Sequence, residues 1–349
     1  MLKQRNSNLE LFRIILMLII IAHHYVVNSG VTRMFDFNTL SLKIVFLQFF
    51  GFGGKCAINC FLLITGYYMI KSKWKLEKMI SLMVDILFYK IFMFLCMVAV
   101  GFDHLNLSRF LDVIFWFVPS LIAGRSFPEV FLAFFILIPF VNKLILSMNK
   151  REITYLLTYL LTYYVFLYTI WPNAKSSIHY IGWFVTVYLV GAYVRLYQPI
   201  AFNSKKKCLL GLIISLVFAL ISIFVIDIMR VSNVFGVKNY YYFVIDSNKI
   251  GALILSVYAF MYFKTISIKY NKFINWVAAS TLPVLLIHAN SKAVIKFLWE
   301  YLINVKGHYQ SENIVIYSII SVISVYVVCV SIDKIIQSTI LYKIKRLLG

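Results

Sequence analysis

Apolar runs about as long as a bilayer is thick recur along this 349-residue chain, and lysine-rich segments separate them at alternate breaks. Lipid offers backbone groups no hydrogen-bond partner, so such runs must close their bonds internally as helices. With 62% hydrophobic residues, 13% charged residues and a mean hydropathy of +0.86, the chain is too apolar for a soluble protein. The expected fold is all-α, a polytopic membrane bundle of about ten transmembrane helices. No stretch reads as a soluble domain, so 1–349 is taken as a single unit.

The runs set the expected spans. The first covers the segment from Leu9 to Tyr25 and ends near Asn28, and the others are Ile44 to Ile70, Ile80 to Val100, Val130 to Leu146 and Thr154 to Trp171. Tyr180 to Tyr197, Leu209 to Ile228, Ile250 to Phe263, Trp276 to Leu298 and Ile314 to Val330 follow. Phe110 to Ile122, interrupted by Pro119, reads as an amphipathic or re-entrant stretch. Gly51 to Lys55, GFGGK, places two adjacent glycines and a lysine inside the second run; it reads as a broken or closely packed helix, because the full phosphate-loop pattern is absent.

The formal net charge of +21 would suggest nucleic acid in a soluble chain. Here the basic residues cluster between apolar runs, at Lys71 to Lys78, Lys150 and Arg151, Lys205 to Lys207, Lys264 to Lys272 and Lys343 to Arg346. That is the positive-inside distribution, and it puts both termini in the cytoplasm. No nucleic-acid-binding pattern accompanies it. The basic start and apolar run at the N-terminus resemble a signal peptide, but charges inside the run and the lack of a small-residue cleavage site favour a retained span. Five cysteines without a CxxC spacing indicate neither disulfides nor a metal site; Cys56 and Cys60, one turn apart, read as small apolar filler ahead of a thiol acyl relay.

The segment LELFRIILMLIIIAHHY, Leu9 to Tyr25, carries a carboxylate, a guanidinium and two imidazoles in one span. Each such group costs on the order of 3 kcal/mol at that depth, so they are expected to face a polar interior. Arg13 and His24 are eleven residues apart, three turns with about 20° left over, so they share a face and lie roughly 16 Å apart along the axis. Glu10 can pair with Arg13 on that face, whereas His23 points roughly 80° away. His24 is therefore favoured as the working histidine, over the reading in which Glu10 and Arg13 only anchor the helix at the interface. Asp85, Lys90 and Asp227 read as buried structural partners ahead of pathway residues, and His104, His179 and His308 as solvated loop residues. Stacking of Tyr240, Tyr241 and Tyr242 on a sugar is a further expectation.

Glu10, Arg13 and His24 in a first span, FLLITGYYM from Phe61, FFILIPFVNKL from Phe134, YLVGAYVR from Tyr188 and NKFINWVAASTLPVLLIHAN from Asn271 together resemble acyltransferase family three, the integral membrane O-acyltransferases. The resemblance implies about ten spans and transfer of an acyl group, usually acetyl from acetyl-CoA, to a hydroxyl of an extracytoplasmic glycan. By position it implies His24 as the catalytic histidine and Arg13 as its partner. Thr65, Gly66 and Tyr67 stand where relatives commonly have Ser-Gly-Tyr or Ser-Gly-Phe, and Lys75 and Lys78 where many have arginines; His288 would help bind the acceptor or cap its span. Pro283, Trp276 and Glu129 depart from the pattern.

Residue chemistry agrees with this reading. A sugar hydroxyl attacking a thioester needs a base of near-neutral pKa, which His24 supplies. Arg13, Lys75 and Lys78 suit the donor's phosphates, with Glu10 orienting Arg13 or His24. The expectation is a metal-free plasma-membrane acyltransferase, in a bacterium, acting on a surface polysaccharide or its lipid-linked precursor. A lipid-linked sugar flippase is the main alternative, and a polysaccharide polymerase a third.

Overall fold

The computed structural model describes residues 6–36, 38–115, 127–171, 180–232 and 241–341. Among these the chain is helical with no strand. The helices are α1 (Ser7–Val27), α2 (Leu42–Gly51), α3 (Gly54–Met69), α4 (Leu76–Ala99), α5 (Leu107–Ile114), α6 (Phe127–Ser147) and α7 (Lys150–Leu161). Next come α8 (Tyr180–Tyr197), α9 (Lys205–Val231), α10 (Ile250–Thr265), α11 (Lys272–Ala278), α12 (Thr281–His288), α13 (Lys292–Ile295) and α14 (Ile314–Ile336). Every expected span falls on one helix or on a run of consecutive helical segments.

Among the described residues seven helical segments are long and apolar enough to cross a membrane, eight when the pair Lys272–His288 and Lys292–Leu302, bent by 93° at its break, is taken as one span. The expected count of about ten included two further runs. Those runs form α8 and α10, which lie among the other helices and bury Trp183, Phe184 and Tyr188 in one and Leu253 and Phe260 in the other. The long α9, by contrast, exposes Leu210, Ile214, Val217, Ile221 and Val225 along one side, as a lipid-facing helix does. Pro119, His179 and Tyr240 lie outside the described residues.

Contacts between helix ends reproduce the alternation expected from the basic segments. At one end Asn8 donates to the Phe263 carbonyl (2.7 Å), and Ser7 Oγ accepts from the Asn271 amide (2.8 Å). Arg195 there reaches the Tyr67 hydroxyl (3.0 Å), and Lys334, near the end of α14, sits over the Trp276 ring. At the opposite end Lys43 donates to the Gln310 carbonyl (2.9 Å) and Gln48 to Asp227 (2.9 Å). The starts of α1 and α11 thus share an end with the last turns of α3, α8, α10 and α14.

Two local features place the site. Gly66 and Gly191 let α3 and α8 touch backbone to backbone: a Cβ on Gly191 would come within 2.6 Å of the Leu63 carbonyl, and one on Gly66 would collide with that of Tyr188. The second is the broken α11–α12–α13 segment. Pro283 falls in the first turn of α12, where its missing N–H leaves no intrahelical bond unmade, so the atypical proline marks a new helix start. Three residues, 289 to 291, then separate α12 from α13, and Ser291 caps α13 by accepting from the Val294 amide.

Candidate active site

A cavity of about 590 Å³ lies within the bundle, and both Arg13 and His24 line it. Its wall is built by α1, α3, α4, α6, α8, α11, α12 and α13, with Lys55, Thr65, Lys90 and Asn290 among its polar groups. A single face of α1 therefore looks into one space, walled mostly by apolar side chains, over at least the roughly 16 Å that separate Arg13 from His24. His23 is absent from the wall: its Nδ1 donates to the Gly51 carbonyl (2.6 Å), and its ring fills the space where Gly54 has no side chain.

His24 Nδ1 lies 2.9 Å from His288 Nε2, and His288 Nδ1 lies 2.6 Å from the Val284 carbonyl one turn back in α12. A carbonyl only accepts, so His288 Nδ1 carries its proton and the neutral ring offers Nε2 as an acceptor. His24 must then hold its own proton on Nδ1, which leaves its Nε2 lone pair as the basic site. His288 is 1% exposed and stands behind His24, off the cavity wall; the acceptor contact expected of it gives way to contact with the histidine. Its position follows from the break after α12, which ends that helix at the depth of His24.

At the basic end, Arg13 pairs with Glu10 (3.1 Å), as the spacing of three residues predicts. Glu10 itself is buried and off the wall. Thr65 is on the wall, with its hydroxyl donating to the Phe61 carbonyl (2.8 Å). Tyr67 is not: it is buried under Arg195, whose guanidinium lies 4.8 Å from its ring centroid, with Lys264 5.5 Å away. Lys75 and Lys78 are exposed at the start of α4 and do not reach the cavity.

Lys90, read from sequence as a structural partner, pairs with Glu129 (2.9 Å) and lines the cavity; Asp227 accepts from Gln48 at the far end. Tyr241 is buried and Tyr242 donates to the Thr169 carbonyl, so neither faces the cavity. Cys56 and Cys60 are buried and off the wall, as filler would be. Sequence reading missed Lys55, Asn290 and Arg195. For Lys55 a signal existed, since any ammonium inside an apolar run invites a functional question. No group of histidine, cysteine or carboxylate residues suited to a metal occurs among the described residues.

The arrangement offers a base with a fixed tautomer, deep in a largely apolar cavity, and a guanidinium three turns away toward the basic end. A family model that describes an acyltransferase domain matches residues 6–333. No curated protein and no solved structure matches the chain.

Proposed function

Because the chain belongs to the acyltransferase domain family and is a membrane acyltransferase, we propose that it moves an acetyl group from acetyl-CoA to a hydroxyl of a cell-surface polysaccharide or its lipid-linked precursor. The observation that carries this reading is the shared cavity of Arg13 and His24. A donor whose charged part stays at Arg13 reaches His24 only through a long, uncharged arm, and a pantetheine thioester has that shape.

In this reading the donor's phosphates meet Arg13, held by Glu10, while Lys75 and Lys78 raise the local concentration of anions at the basic end. The acceptor hydroxyl gives its proton to His24 Nε2 as its oxygen bonds to the thioester carbonyl carbon. Collapse of the tetrahedral intermediate breaks the carbon–sulfur bond, and the proton passes from His24 to the leaving sulfur. His288 accepts from the Nδ1–H throughout and steadies the imidazolium. Beyond His24 the cavity continues to Asn28, near the end of α1 away from the lysine-rich segments, which suits an acceptor arriving from outside.

The test uses purified protein in lipid nanodiscs together with cells. Wild type is expected to release free thiol from acetyl-CoA and to leave acetyl esters on surface glycan, read by NMR, and His24→Ala to do neither at equal protein level. Equal ester content in both would remove His24 from the mechanism. Movement of a lipid-linked sugar with no consumption of acetyl-CoA would establish the flippase reading instead.

A further inference from the structure

Among the described residues three cations line the cavity, and they are not equivalent. Arg13 is paired with Glu10 and Lys90 with Glu129, but Lys55 makes no ion pair and no hydrogen bond among the described residues. All 13 Asp and Glu side chains of the chain fall within the described residues, so none of them neutralises this ammonium. The wall itself carries no carboxylate.

Lys55 lies in the first turn of α3, inside the 28-residue apolar segment Leu42–Met69. It is half-buried, and its charge acts on both His23 and His24. Close packing of Gly54 on the His23 ring fixes this part of α3 against α1, so the ammonium is held beside the histidines. A lone cation inside a membrane span is costly and persists where it faces water or an anionic partner. The same wall carries Asn28, Ser247 and Asn290, neutral groups of the kind that bond to sugar hydroxyls, the Asn290 Nδ2 also donating to the Tyr89 carbonyl (2.9 Å).

We propose that Lys55 binds a negatively charged group of the acceptor, so that the acceptor is an acidic saccharide bearing a carboxylate or a phosphate. The donor's phosphates do not fill this role, because in the proposed reaction Arg13 holds them, roughly 16 Å along α1 from the His24 beside which Lys55 sits. An anion on Lys55 sets the sugar beside His24, and the neutral amides and hydroxyl hold its ring. This deepens the acyltransferase reading and rests on it.

The test measures binding to the full-length protein in phosphatidylcholine nanodiscs at low salt, by the rise in unfolding temperature with ligand concentration. Three probes are compared, methyl β-D-glucuronide, glucose 1-phosphate and methyl β-D-glucoside, on wild type, Lys55→Met and Lys55→Arg. Wild type should bind one of the two anionic sugars at least tenfold more tightly than the glucoside, and which of them it is distinguishes carboxylate from phosphate. Lys55→Met should lose that preference and Lys55→Arg keep most of it. Equal affinity for all three probes, no binding of either anion, or an undiminished preference in Lys55→Met overturns the proposal. So does a Lys55→Met protein that binds normally but turns over acetyl-CoA at least 100-fold more slowly, since the charge then serves the carbonyl oxyanion. Thiol release from acetyl-CoA in the same samples reads the acyltransferase assignment separately: its absence in wild type removes that assignment without touching the binding curves.

Discussion

His24 and His288, 264 residues apart in the chain, meet nitrogen to nitrogen at 2.9 Å, and the Val284 carbonyl behind them dictates which nitrogen of each ring carries the proton. In the proposed reaction the pair serves as a base and its holder. Only His24 faces the cavity, so only its Nε2 is placed to take a proton from an acceptor.

Replacing the base removes general-base catalysis, which typically contributes 10²- to 10⁴-fold. His24→Ala and His24→Gln should both lower turnover of acetyl-CoA by that order in nanodiscs, with donor KM within about threefold of wild type. Donor binding measured in parallel separates lost chemistry from lost folding.

Replacing the holder has a different signature. His288→Leu removes the acceptor for the His24 Nδ1–H, a bond to a charged group once His24 is protonated, worth about 1.5–3 kcal/mol or roughly 10- to 150-fold in kcat. His288→Gln retains an oxygen that can accept from Nδ1 and should recover most of the rate. If Leu and Gln variants are equally impaired, the hydrogen bond is not what His288 supplies.

Arg13 sits far from the reacting carbon, so its loss should act on binding. Arg13→Ala is expected to raise donor KM by roughly 10- to 100-fold with kcat changed little, since one charged hydrogen bond is worth about 1.5–3 kcal/mol. Addition of 0.5 M salt should narrow the gap between variant and wild type.

Lys75 and Lys78 are exposed and act, in this scheme, at long range. The double variant Lys75→Glu, Lys78→Glu should raise donor KM by roughly two- to fivefold at low ionic strength and by nothing measurable at high ionic strength, where charges beyond a Debye length are screened. A salt-independent rise would place a direct phosphate contact there.

Gly66→Ala tests the close approach of α3 and α8. The new methyl would meet the Tyr188 carbonyl, a backbone atom unable to rotate away, so a loss of about 1–3 kcal/mol in stability is expected. The thermal midpoint of the variant in nanodiscs checks it; an unchanged midpoint would mean that the two helices slide apart at no cost.

The all-α class and the run of spans were legible because lipid forces long apolar stretches to bond within themselves. The orientation of α1 was legible too. A residue's direction on a helix is set by counting from its neighbours, so Arg13, His24 and the outlying His23 could be placed with no knowledge of the partner helices. Pairings between helices escaped that count. His288 read as an acceptor contact or an interfacial cap, Lys90 and Glu129 were not joined, and Lys55 was absorbed into a glycine-rich break.

What the sequence determined by itself is the local periodicity that turns one guanidinium and one imidazole to the same side of a helix. The tertiary structure alone decided what meets them there. A 93° bend after His288 brings that ring behind His24, and the packing of α3 on α1 leaves Lys55 on the cavity wall without a carboxylate. Helix order and crossing geometry fix those distances, and both depend on side-chain packing summed over the whole bundle rather than on any one segment.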